Sequence, residues 1–430
     1  MELFKPPDFK AYVAWLADLT LPVILKQYQN IEDVIIEQED KAMLRELERE
    51  RVLFFTNHPS QAEPLIAYHV ANVMGTRFNY MATRRAFDFL FGVLGMAFQS
   101  LGGFSVIPGV ADKESMLMAR SILARPKGKL VLFPEGEPMC GENDNLMPLQ
   151  SGAVRLSISA LEDALKKDKN ADIKILPGFI KYVIKSPESV IIEDLHRSIS
   201  VVEEKLGADS GDRNLLRRFL MVGRLLLEDA EREYHIDVDE SKDYDYRIGK
   251  VRHTILNNVA ERIEAPNYDP NADAIQKLRQ LTSILELVEL NYPNPKLKKL
   301  SSSEISWANR ECVKAYDLIV IKRDYLMSRP TPERFYEFLN RYESFVLGKR
   351  PHALGGEPSH LPRRAYVSFA KPFSLREYYD MFKVNKQDGI TKLLERLHDD
   401  MQRLLNNTTH LTRTIIEPYD IENLAAHHFK

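Results

Sequence analysis

From Val52 onward, short unbroken apolar runs alternate with longer stretches whose apolar positions recur at helical spacing. Strands are predicted over residues 52–56, 78–82, 104–107 and 129–133, with helices over 62–74, 85–100 and 112–124 between them. A further helix follows Ala153 with Val154, Ile158, Leu161 and Leu165 on one face. Residues 173–184 then read as a long strand broken at Pro177-Gly178. Strands alternating with helices define an α/β fold, a mixed, mainly parallel sheet flanked by helices. Reactive residues of such sheets gather on the loops after the carboxyl ends of the strands.

Before Val52 the chain reads as an N-terminal helical segment, residues 1–50, broken or kinked at Pro22. Beyond residue 192 the texture changes. Charged helical stretches succeed one another over 215–233, 246–263, 272–291, 303–326 and 333–347, the last opened by Thr331 as a cap and Pro332 at the first helical position. No strand run interrupts them, so residues 193–361 are expected to be a large all-α insertion. Strand character returns at 364–373, followed by a helix with Ile390, Leu393, Leu397, Met401 and Leu404 on one face. The α/β domain is therefore assigned to 51–192 plus 362–410, and 411–430 to a tail.

Composition narrows the function. The 430 residues carry 59 basic against 62 acidic side chains, and no basic tract with interleaved aromatics occurs, so nucleic acid is not an expected partner. Only Cys140 and Cys312 are present and no secretory leader opens the chain, which favours a cytoplasmic location. No histidine, cysteine or carboxylate cluster has metal-ligand spacing; His352 and His360 flank a Gly-Pro loop without companions. Residues 11–25 and 86–106 are apolar, yet Asp18 and several glycines speak against a spanning helix. Either could lie in a membrane interface with its apolar face down.

Candidate chemistry sits in Asn57-His58-Pro59-Ser60-Gln61-Ala62-Glu63, directly after the first strand. A turn can face His58 against Glu63. A histidine oriented by a carboxylate can take a proton from a hydroxyl, because the carboxylate fixes the tautomer and stabilises the imidazolium.

Two further loops follow in order: Gly102-Gly103-Phe104-Ser105-Val106-Ile107 and Phe133-Pro134-Glu135-Gly136. Together with Asn57-His58-x4-Glu63, these blocks resemble the glycerolipid acyltransferases typified by lysophosphatidic acid acyltransferases. Pro148 to Arg155 and Ile175-Leu176-Pro177 resemble later parts of that pattern. The resemblance is strong over about 50–185, loose over 364–405 and absent from the helical block.

It implies an acyltransferase moving a fatty acyl group from acyl-CoA or acyl carrier protein to a hydroxyl of a lipid or lysolipid acceptor. His58 would be the base, Glu63 its orienting partner, and Asn57 the brace of the loop. Gly103 and Phe104 would shape the pocket, Glu135 and Gly136 would border the acceptor, and backbone amides near Gly136 would serve the oxyanion. No cofactor is implied beyond the acyl donor, and the expected location is the cytoplasm at the membrane surface.

The chain departs from the family pattern at three places. Glu63 stands where aspartate is usual, Pro108 where an arginine ends the second block, and Glu137-Pro138 where Thr-Arg follow the third. The last two remove phosphate ligands, and Arg84, Arg85, Arg155 and Lys181 are the candidates to replace them. A second reading is a non-catalytic lipid-binding or scaffold protein built on a degenerate acyltransferase fold.

Overall fold

A computed structural model describes residues 3–136, 143–239, 241–320, 323–348 and 359–418. In chain order the first part holds α1 (Ala11–Tyr28), β1 (Ile31–Ile35), α2 (Gln38–Glu46), β2 (Val52–Phe55), α3 (Glu63–Met74), β3 (Asn79–Thr83), α4 (Val93–Ser100), β4 (Gly103–Val106), α5 (Lys113–Ala124), β5 (Lys129–Leu132), α6 (Ser151–Lys167) and β6 (Lys174–Ile184). A 3-10 helix, Arg84–Gly92, joins β3 to α4. Then come α7 (Glu188–Leu206), α8 (Leu215–Glu233), α9 (Tyr244–Arg262), α10 (Ala274–Glu289), α11 (Ser302–Val320), α12 (Arg323–Ser328) and α13 (Pro332–Leu347). The chain closes with β7 (Arg363–Phe369), β8 (Phe373–Ser374), α14 (Arg376–Val384) and α15 (Lys386–Asn407).

The chain divides into two compact units. One comprises Met1–Cys140, Asp144–Val183 and Pro362–Leu411; the other comprises Gly141–Asn143, Ile184–Leu361 and Thr412–Lys430. The first unit is an α/β domain around a sheet of order β1-β7-β6-β2-β5-β3-β4, with β8 antiparallel on β6. β2 is parallel to β5 and β6, and β3 to β4 and β5.

Successive residues of β2 face opposite sides, so Val52 and Phe54 pack with α2 and α3 while Leu53 and Phe55 pack with α5, α6 and α15. Both faces are covered, which is why these strands read as unbroken apolar runs. Each fully buried phenylalanine contributes about 1.5–3 kcal/mol through the area it removes from water.

Three local readings need correction. Residues 1–50 are not only helical: Ile31–Ile35 is a sheet strand, parallel to β7 at one end of the sheet order, and its exposed Glu32 and Asp33 disguised the apolar pattern. Pro22 does not break α1, whose residues run helically through it. Nor does Pro177-Gly178 break β6. Pro177 stands in register with Phe55, and Gly178 gives room to the Phe54 ring, which a Cβ would meet at 2.7 Å.

The second unit is all-helical among the described residues, with a core built by Leu195, Phe219, Phe335, Phe338 and Tyr342. Its α13 is capped by Thr331, starts on Pro332 as expected, and is buried along most of its length. Part of the expected tail belongs to this core, since Ile415 and Ile416 pack against it.

Candidate active site

β6 outlasts its neighbour. With Phe55 opposite Pro177 in register, β2 ends while β6 continues through Ile184, and this overhang supports the loop that carries His58. Asn57, buried, substitutes its side-chain amide for the missing strand: Nδ2 donates to the Ile180 carbonyl at 3.0 Å and Oδ1 accepts the Ile180 amide at 2.7 Å. The brace expected of Asn57 is thus a pair of ladder-like bonds.

His58 Nδ1 lies 2.7 Å from Glu63 Oε2, the facing pair that the spacing suggested. Because a carboxylate only accepts, Nδ1 carries the proton and Nε2 keeps its lone pair. The imidazole stacks on Phe133, ring centroids 4.2 Å apart. Glu63 opens α3, fully buried, and is further held by the Ser60 amide at 3.0 Å, the Ser60 hydroxyl at 2.7 Å and the Tyr182 hydroxyl. Burial alone would raise the carboxyl pKa, but the bonds from His58, Tyr182 and Ser60 outweigh it and hold Glu63 below its ordinary range. Burial and the neighbouring Glu63 charge push the Tyr182 phenol well up, so it stays a donor.

Glu135 is fully buried beside the His58 loop. Its buried carboxylate accepts the His58 amide at 2.9 Å through Oε1 and the Met147 amide at 2.9 Å through Oε2, so it ties the His58 loop to the segment before α6. Burial raises it from 4.5 to about 7 against the pull of those amides. Of the backbone amides near Gly136 expected to serve an oxyanion, that of Gly136 itself donates to the Phe133 carbonyl at 2.9 Å. Glycine is required there for its positive φ of 97°, and because a Cβ would overlap the Gln150 side chain.

The other candidates are spread more widely. Phe104 is a core residue beside Leu53 and Phe55, and Gly103 lies against the Phe98 ring, where a side chain would collide. Arg84 is buried at the end of β3, its Nη1 ion-paired with Asp88 Oδ2 at 2.8 Å and its Nε making no hydrogen bond. Arg85 and Arg155 are exposed. Lys181 is buried and paired with Asp144, so its charge is met within the chain. Glu137, Pro138, Cys140 and His352 lie outside the described residues, and Pro108 follows β4.

Sequence reasoning missed Ser60 and Tyr182. Ser60-x-x-Glu63 carries the spacing of a capping box, in which the glutamate reaches back to the serine amide, and that signal was available. Tyr182, far along the chain, had none.

Since β2, β3, β4 and β5 are parallel, the His58 loop, Arg84, Pro108 and the Glu135 loop all leave the sheet at its carboxyl edge. The parallel sheet thus presents the His58–Glu63 pair at its carboxyl edge. Residues 33–181 match the acyltransferase family model, so this part of the chain is a domain of the glycerolipid acyltransferase family. No curated relative matches the chain. No group of three or more potential metal ligands occurs among the described residues.

Proposed function

We propose that this domain moves a fatty acyl group from acyl-CoA or acyl carrier protein to a hydroxyl of a lipid or lysolipid acceptor, with His58 as general base. The observation that carries the reading is the 2.7 Å bond from His58 Nδ1 to a buried, ionised Glu63. Nε2 takes the acceptor's hydroxyl proton while the oxygen attacks the thioester carbonyl. The C–S bond then breaks, and the proton passes from His58 to the departing thiolate. Ser60 is no covalent intermediate site, because its hydroxyl already donates to Glu63. Arg84 is the candidate replacement for the lost phosphate ligands that leaves from the same sheet edge, although its Nη1 is already paired with Asp88 and only Nε is unbonded. His58→Ala should lower kcat at least about 100-fold with the melting curve unchanged; retained turnover by the purified variant would refute the mechanism.

The acceptor would be met at a cytoplasmic membrane surface. No described helix is long and apolar enough to cross a membrane. Yet α1 turns Tyr12, Trp15, Leu16, Leu19 and Val23 outward, with Trp15 67% and Leu19 64% exposed, while its Asp18 is turned to Arg77. α4 packs against α1 and exposes Val93, Leu94 and Met96. A 3-10 helix beginning at Arg84 leads from β3 into α4. The apolar face of α1 and α4 suits the boundary between headgroups and acyl chains. The double variant Leu19→Asp, Leu94→Asp should sediment with phosphatidylglycerol vesicles several-fold less than wild type; equal sedimentation would refute the docking face.

A further inference from the structure

Glu63 is fully buried, and its carboxylate is enclosed by the side chains and backbone around it. The carboxylate has no solvent contact and receives four donors: His58 Nδ1 and the Ser60 amide on Oε2, the Ser60 and Tyr182 hydroxyls on Oε1. A carboxylate offers about four lone-pair positions, so this set leaves none open. Its members are themselves held. Ser60 Oγ accepts the Ala62 amide at 3.1 Å, and the Arg363 guanidinium lies 4.3 Å over the Tyr182 ring. A proton added to Glu63 would point at one of these donors, so the proton shared with His58 stays on the histidine. An aspartate, one methylene shorter, would draw back from all four.

We propose that Ser60 and Tyr182 are positioning residues for the acyl-transfer base: they lock the Glu63 carboxylate and through it set the orientation and proton affinity of His58. The inference rests on the reading of His58 as the base. Ser60 lies inside the segment that matches the family model and Tyr182 one residue beyond it.

Among the described residues, these charged and titratable groups face the pair: Tyr182 and Ser60 contact Glu63, Arg363 covers Tyr182, and Glu135 holds the His58 amide. Replacing Tyr182 by phenylalanine keeps Arg363 and Glu135 in place and removes one donor. The charge on Glu63 is then less shared and binds the imidazolium proton more tightly.

The test uses full-length protein with ring-labelled histidine, the His58 signal being assigned by its loss in His58→Ala. Tyr182→Phe should move the His58 titration to higher pH by about half a unit or more. With palmitoyl-CoA and mixed phospholipid and lysophospholipid vesicles, the acid limb of kcat/KM should move the same way. kcat should fall about tenfold with KM for palmitoyl-CoA unchanged. Ser60→Ala, which removes a hydroxyl without touching the tyrosine, should shift the ring titration in the same direction and serves if Tyr182→Phe does not fold. An unshifted His58 titration in a folded variant overturns the proposal even where activity drops. Absence of transfer by wild type would instead overturn the functional reading, and the ring titration would still decide the positioning role.

Discussion

Glu63 and Glu135 are both fully buried carboxylates in one domain, each bonded to the His58 loop, yet they sit on opposite sides of the ordinary carboxylate range. Glu63 meets a histidine, two hydroxyls and an amide, and these donors overcome burial. Glu135 meets the amides of His58 and Met147, and burial wins, aided by the charge of Glu63 nearby. Burial pushes both carboxylates up, and the donors decide whether it is overcome, above all a partner that can itself become charged. Glu63 is arranged to stay ionised beside a proton-carrying ring. Glu135 is arranged to hold backbone, and its own charge is the weak point of that arrangement.

The sharpest way to break this contrast is to remove the charge from each carboxylate while keeping its shape. Glu63→Gln should lower kcat/KM about 10³–10⁴-fold, since an amide nitrogen must face one of four donors and can no longer stabilise the imidazolium. The clash of buried donors should also cost about 1–3 kcal/mol of stability. Steady-state kinetics with a thermal melt would measure both. A loss below about tenfold would mean that His58 acts without its carboxylate.

Much of this contrast was legible in the sequence. The strands announced themselves because a sheet covered on both faces needs unbroken apolar runs, and His58 and Glu63 could be paired because a short loop must bring them together. β1 was not legible, since a strand at one end of the sheet order can carry Glu32 and Asp33 outward. The continuity of β6 through Pro177 depends on Phe54 and Phe369 closing over Gly178, a tertiary fact. Glu135 was readable as a site residue but not as a brace, because its partners are backbone amides that leave no mark on residue identity. Tyr182 reaches Glu63 from a strand more than a hundred positions away, and only the register of β6 on β2 reveals it.

The smaller expected effect belongs to Glu135 and has the opposite sign to the usual carboxylate. Its folded value, about 7, lies above the ordinary 4.5, so between those values the folded chain holds a proton that the unfolded chain has lost. Its contribution to stability is thus complete below about 4.5 and declines as pH rises through 7, by up to about 3 kcal/mol. Glu63, held below its ordinary value, contributes above that value and loses its contribution only as pH falls through the lowered one. Urea unfolding of wild type and Glu135→Gln at intervals from pH 5 to 8 separates the two. Wild type should lose stability relative to the variant across that range, because glutamine has no charge to acquire. A constant difference would show that the amides of His58 and Met147 keep Glu135 ionised throughout, and the two carboxylates would then differ only in what they hold.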